Sequence, residues 1–264
     1  MPDSPPPAPR HRIATRSVPV QSPWRWLARG AQDLRRAPLP GLLHGLGCTL
    51  FGLALFAVAG SHFWLLAGAF SGFLLVAPVV ATGLYAVSRA IERGEPATLG
   101  TALAAWIPRD RRLVVFGLLL ALAGTGWVLT SAGLITSFAP APVRDPMSFL
   151  RVVVLGPSPW LFSAWLVLGG VLAAPVFASS VVTIPLLLDR RVGVAEAVHA
   201  SWRVVVDNPV AMALWAFVIM TLSALAIALA LVGLVVVVPL LAHASWHAYR
   251  DLVEPAGSDE MERG

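Results

Sequence analysis

Long apolar runs, separated by short polar connections that carry most of the arginines, set the pattern of this chain. Six runs cover residues 41–60, 63–88, 113–135, 160–188, 209–230 and 231–249, and none of them contains Asp, Glu, Lys or Arg. A helix needs ~20 mostly apolar residues to cross a bilayer core. Inside lipid the backbone must satisfy its own hydrogen bonds, which a helix does within one segment. A barrel strand alternates apolar and polar positions, and the continuous run Leu231–Leu241 does not. The pattern predicts an all-α membrane protein with six transmembrane helices.

A second element recurs ahead of the odd-numbered runs. Trp24, Leu27, Ala31 and Leu34 share one helical face, with Arg25, Arg29, Gln32 and Arg36 opposite. Leu99, Leu103 and Trp106 make a shorter stripe, and Val194, Val198, Trp202 and Val205 a third, opposite Glu196, His199, Arg203 and Asp207. Such spacing predicts amphipathic helices lying at the headgroup level, and a proline follows each: Pro38, Pro108 and Pro209. Near the ends of the even-numbered runs, Ala77-Pro78-Val79-Val80-Ala81, Ala174-Pro175-Val176-Phe177-Ala178 and Val238-Pro239-Leu240-Leu241-Ala242 repeat one motif. The membrane domain, residues 24–253, thus reads as three units, 24–94, 95–191 and 192–253, each an interfacial helix, a span out and a span back. All three hairpins share one orientation, so the repeats are parallel, related by an axis along the membrane normal. Residues 1–23, rich in Pro and Arg, and the acidic residues 254–264 are expected to be disordered tails.

Composition strengthens the membrane reading. Of 264 residues, 57% are hydrophobic and 12% charged, against ~25% charged in soluble domains. That excludes an ordinary cytosolic enzyme, a disordered chain and a nucleic-acid reader. The net charge of +5 comes from arginines that sit asymmetrically. Seventeen lie in the N-terminal segment, the second and fourth connections and the C-terminal tail, whereas Arg144 and Arg151 alone lie on the other side. Basic connections stay inside, which places both termini in the cytoplasm of a bacterial inner membrane. The first apolar run follows seven arginines and begins near Leu39, unlike a cleaved signal peptide. Cys48 is the single cysteine, so no intrachain disulfide forms.

Candidate chemistry is sparse. His243 and His247 are four apart and share a helical face, while His44 enters the first span from the same side. Imidazoles so placed are candidate ligands for a metal or a haem iron. The plainer alternative puts His247 in the interfacial belt and bonds His243 to a neighbouring helix. Four residues beyond the expected helix-kinking prolines Pro78, Pro175 and Pro239 come Thr82, Ser179 and His243. Proline leaves a backbone carbonyl unpaired, so these polar side chains are candidates for a pocket around a central axis, with helix–helix glue as the alternative. The chain has no Walker loop, dinucleotide fingerprint, H-E-x-x-H or G-x-S-x-G. No enzyme is expected, and no cofactor, with haem or copper as the alternative.

Several stretches together carry a family likeness: Pro23-Trp24-Arg25-Trp26-Leu27, His62-Phe63-Trp64-Leu65-Leu66-Ala67-Gly68, Ala77-Pro78 through Gly83-Leu84-Tyr85, Glu196 through Arg203 with Asp207-Asn208-Pro209, and His243-Ala244-Ser245-Trp246-His247-Ala248-Tyr249-Arg250-Asp251-Leu252. Over most of residues 23–253 the chain resembles a family of predicted bacterial integral membrane proteins known only as a domain of unknown function. The resemblance implies a multipass inner-membrane protein and brings no activity or catalytic residue. The first functional expectation is a non-enzymatic protein that binds or moves a small neutral or lipid-like molecule through a proline-kinked core. The second is a structural or assembly partner of a larger membrane complex, docked through small residues such as Gly68 and Gly72. The third is a haem- or copper-associated respiratory component using His44, His243 and His247. Expected partners are the bilayer, anionic lipid headgroups held by the arginines and other membrane proteins.

Overall fold

A computed structural model describes residues 13–59, 80–106, 110–157 and 159–255. Helices dominate, in the order α1 (Ser22–Arg36), α2 (Pro38–Ala59), α3 (80–93), α4 (Leu99–Trp106), α5 (Arg111–Phe138), α6 (Pro146–Phe149), a π turn (Leu150–Val154), α7 (Pro159–Ser180), α8 (Thr183–Asp189), α9 (Val194–Asp207), α10 (Pro209–Ala228) and α11 (Leu234–Leu252). Among the described residues four segments are long and apolar enough to cross a membrane: Pro38–Leu55, Arg111–Phe138, Pro159–Asp189 and Pro209–Ala228. They coincide with the first, third, fourth and fifth expected spans. Most of the second, together with Pro78, Gly68 and Gly72, lies outside the described residues. The sixth is helical as α11 but is not one of the four, because its second half carries His243, Ser245, His247, Arg250 and Asp251. Pro175 and Pro239 lie inside α7 and α11.

The expected amphipathic helices are present as α1, α4 and α9, and each packs on a helix outside the unit expected to contain it. α1 lies against α11. There Gly30 lets the two backbones meet: a Cβ at Gly30 would stand 2.7 Å from the Ala244 nitrogen. α4 meets α3, where Thr82 Oγ1 donates to the Ala105 carbonyl at 3.4 Å and Trp106 Nε1 to the Val80 carbonyl at 3.3 Å. α9 meets α7 and α8, where Trp202 Nε1 donates to Ser179 Oγ at 2.9 Å and Thr183 Oγ1 to the Ala197 carbonyl at 3.3 Å.

The face that α1 buries differs from the apolar stripe expected to seat it. Pro23, Trp26, Gly30 and Asp33 are buried, whereas Trp24 is 56% exposed. Of the expected stripe only Trp24 looks outward; Leu27 is half-buried against the core and Leu34 reaches α2 at Gly41. In a membrane protein an outward apolar side chain meets lipid, so hydrophobicity alone does not separate the lipid face from the protein face. α9 buries Ala197, Ala200, Ser201 and Val204, and of its expected stripe only Trp202 is exposed, with Val194, Val198 and Val205 half-buried against the core.

Residues 13–23, part of the expected N-terminal disordered tail, are ordered. Residues 13–20 run extended across the helix ends, and residues 1–12 lie outside the described residues. Thr15 pairs with Val253 in an isolated antiparallel bridge, supported by Arg16 N to the Leu252 carbonyl at 2.8 Å and Glu254 N to the Ala14 carbonyl at 3.1 Å. Asn208 clamps the same segment, accepting from Val18 N at 2.7 Å and donating to the Arg16 carbonyl at 3.1 Å. Buried backbone partners outweigh the local Pro/Arg composition here.

On the opposite side, Trp165 ties α5, α6 and α7. Its Nε1 donates to Ser131 Oγ at 2.7 Å, and its ring lies 5.5 Å from Trp127 and 5.2 Å from Phe149 between centroids. The π turn around Val153, which is fully buried, caps this end.

One arginine closes an open helix end. The last carbonyls of α8 have no intrahelical donors. Arg112 serves this end of the chain, donating to Leu187 O at 3.2 Å, Arg190 O at 3.0 Å and Val192 O at 2.6 Å, while its guanidinium also pairs with Asp110. We expect Arg112→Ala to cost ~2 kcal/mol. Arg112→Lys should recover little of that, because one ammonium cannot reach a carboxylate and three carbonyls together. Thermal melting in detergent checks this; a Lys variant as stable as the parent would contradict it.

Candidate functional site

The polar side chains converge on the last three turns of α11, at the arginine-rich side. Asp33 of α1 is the hub and is 3% exposed. Its Oδ2 accepts from Ser88 Oγ of α3 at 2.8 Å and from His247 Nε2 at 2.8 Å. Ser88 Oγ also contacts His243 Nδ1 at 2.7 Å. Three helices are thus joined through one carboxylate. Burial pushes the Asp33 carboxyl up, but the hydrogen bonds from His247 and Ser88 outweigh it and hold it below the ordinary carboxylate range.

Proton counting fixes the His243 tautomer. A serine hydroxyl has one hydrogen, and the Ser88 hydrogen goes to Asp33. Ser88 Oγ must therefore accept from His243 Nδ1–H, which leaves His243 Nε2 as a bare lone pair. That nitrogen is buried with no hydrogen-bond partner among the described residues. His44 is fixed the same way: its Nδ1 lies 2.6 Å from the Pro40 carbonyl, so Nδ1 donates and Nε2 is bare, buried and unpartnered. Its ring stands edge-on to Trp106 at 4.8 Å. Each bare nitrogen looks at a glycine, His243 Nε2 toward Gly41 and His44 Nε2 toward Gly83. Chemically, both accept a hydrogen bond or coordinate a Lewis acid.

The three candidate metal or haem histidines are therefore in different settings. His247 spends its Nε2 on Asp33, His243 faces α2, and His44 faces α3. Among the described residues no group of three or more His, Cys, Asp or Glu side chains is arranged to hold a metal ion. The candidate pocket residues do not converge either. Thr82 donates to α4, Ser179 accepts from α9, and His243 bonds α3.

Around the hub the end of α11 is clasped on all sides. Trp26 Nε1 donates to Asp251 Oδ2 at 2.9 Å, and Arg29 pairs with the same oxygen. Glu92 of α3 accepts from Trp246 Nε1 at 3.1 Å and from Arg250 Nε at 2.9 Å. Tyr249 donates its hydroxyl to Asp189 of α8 at 2.8 Å. The stretch His243–Asp251 is thus a fastening strip whose residues bind α1, α3 and α8.

Sequence reasoning missed Asp33, Ser88, Glu92 and Asp189. For Asp33 a signal existed: Trp26, Gly30 and Asp33 recur at 4- and 3-residue spacing, a helical stripe holding the one acid of an otherwise basic helix.

Beside the strip an open cleft of about 620 Å³ runs between the N-terminal segment and α1. Arg16, Arg25, Arg29, Gln32 and Asp251 supply its polar walls, with Val18, Pro19 and Ala28 between them.

Comparison with known proteins agrees with the membrane reading. Residues 65–189 match the model of a family described as Predicted integral membrane protein (DUF2189), whose function is unknown. The match runs through α3–α8 and bears out the resemblance read from the sequence. No curated protein and no solved structure matches the chain.

Proposed function

We propose that this integral membrane chain of the DUF2189 family is a six-span protein of a bacterial inner membrane, with both termini cytoplasmic, that binds a lipid-like molecule of the inner leaflet and catalyses no reaction. The orientation rests on the arginine asymmetry, seventeen against two. Three parallel hairpins closing into a ring account for the packing. The first amphipathic helix lies on the third unit, the second on the first unit and the third on the second unit.

The observation that carries the lipid reading is the division of labour on the amphipathic helices. α1 buries Trp26, Gly30 and Asp33 and α9 buries Ala197, Ala200, Ser201 and Val204 against protein, and they leave Trp24 at 56% and Trp202 at 41% exposed, next to charged rows. An exposed tryptophan beside arginines is the chemistry of a headgroup boundary. The polar residues expected to line a core pocket are engaged between helices, so lipid contact at the rim has more support than passage through the centre.

Lipid analysis of protein purified in mild detergent tests this. Anionic lipid should be enriched about twofold or more over the source membrane. A lipid composition equal to that of the membrane would overturn the proposal, and a stoichiometric protein partner in its place would favour the assembly reading.

A further inference from the structure

We propose that the cleft between residues 16–19 and α1 seats the phosphate headgroup of an anionic lipid; this rests on the lipid reading above and names the ligand class and the residues that hold it. The geometry of α1 points there. At 100° per residue the helix has three faces. Trp26, Gly30 and Asp33 form the buried one and Trp24, Leu27, Ala31 and Leu34 the apolar one. Arg25, Ala28, Arg29 and Gln32 form the third, which is the floor of the cleft. The cleft therefore opens directly beside the apolar stripe, the juxtaposition that a headgroup and its acyl chains require.

The charges in the cleft are unequally spent. Arg29 is paired with Asp251. Arg25 contacts the Ser22 hydroxyl at 2.9 Å, and no carboxylate pairs with it among the described residues. Arg16, 44% exposed at its side chain, reaches Glu254 at 3.9 Å, too far for a hydrogen bond. Two guanidiniums thus face one cleft with donors in hand. Guanidinium is the group that grips phosphate bidentately, and the Gln32 amide adds a neutral donor. Asp251, already holding Arg29 and Trp26, sets the acidic edge of the cleft, so the ligand belongs at the Arg16–Arg25 end.

The test uses the full chain in nonionic detergent and follows tryptophan fluorescence on titration with short-chain phosphatidic acid, short-chain phosphatidylcholine and inorganic phosphate. Three proteins are compared: the parent, Arg16→Gln/Arg25→Gln, and Arg35→Gln/Arg36→Gln, which loses the same charge from α1 outside the cleft. We expect the parent to prefer phosphatidic acid, the cleft variant to bind it about tenfold more weakly, and the control variant to stay close to the parent. Equal weakening in both variants would overturn the site and leave the lipid reading standing, since diffuse charge would then explain binding. Inorganic phosphate binding as tightly as the lipid would overturn the lipid source. A parent with no preference for phosphatidic acid over phosphatidylcholine would overturn both proposals. Equal melting temperatures of the two variants show that both are folded.

Discussion

Gly45→Val should be the most damaging single substitution in the first span. A Cβ at Gly45 would stand 2.2 Å from the Val235 carbonyl oxygen and 2.6 Å from the Val235 Cα. Both are backbone atoms, so no side-chain rotation relieves the clash, and α2 and α11 must separate. The same seam holds Gly41, whose Cβ would meet Pro239 at 3.1 Å, and Thr49, whose Oγ1 donates to the Leu231 carbonyl at 3.2 Å. Small residues every four positions let helices in a membrane approach until dispersion and weak polar contacts hold them. Opening the seam therefore loses several contacts at once. We expect a cost of about 3 kcal/mol or more, seen as a fall of roughly 6–12 °C in the melting midpoint in detergent. Gly47→Ala is the matched control: a Cβ there has nothing within 4 Å, and removing a helical glycine should stabilise by ~0.5–1 kcal/mol. Equal melting of the Gly45 and Gly47 variants would mean that α2 and α11 do not pack as described.

The seam also shows why some of the fold was legible in the sequence and some was not. Helix type, and four of the six expected span positions within a few residues, follow from hydropathy, because lipid imposes the same apolar requirement on every spanning turn. The fifth and sixth apolar runs were separable even though no charge divides them; the break falls where Ala230 and Leu231 adopt positive φ between α10 and α11. Which face of a helix meets protein was not legible from hydropathy. Gly41, Gly45 and Thr49 pack tightly because they are small, while Leu42, Leu43 and Leu46 on the same helix are exposed. Apolar content ranks those leucines as core in a soluble protein, and in a membrane they face lipid. The Asp33–Ser88 contact joins residues 55 apart in sequence, and only tertiary packing supplies that neighbour. His243 and His247 were recognisable as a same-face pair. Their partners were not, since each bonds a different helix.

Replacing the hub itself should cost nearly as much as opening the seam. Asp33→Leu removes the acceptor for both Ser88 Oγ and His247 Nε2. Two donors are then left facing a leucine in a buried site, and His243 loses the reason for its tautomer. Removing one partner from a buried charged network costs ~3 kcal/mol or more. Asp33→Asn keeps an oxygen that accepts both donors and forfeits the charge, so about half the loss should return. The ionisation of Asp33 separates these roles. Its folded carboxyl titrates below the ordinary value because Ser88 and His247 bond its charged form. A depressed folded pKa means that the stabilisation is fully present above the unfolded carboxylate value of 3.8 and is lost as pH falls through the lower folded value. The parent should therefore lose stability steeply below about pH 4, and Asp33→Asn, already uncharged, should lose less over the same interval. Melting midpoints of the two proteins between pH 7 and pH 3 should converge toward the acid end. Parallel curves would show that the carboxylate charge does nothing for the junction, and that Asp33 serves as a neutral acceptor holding α1, α3 and α11 together.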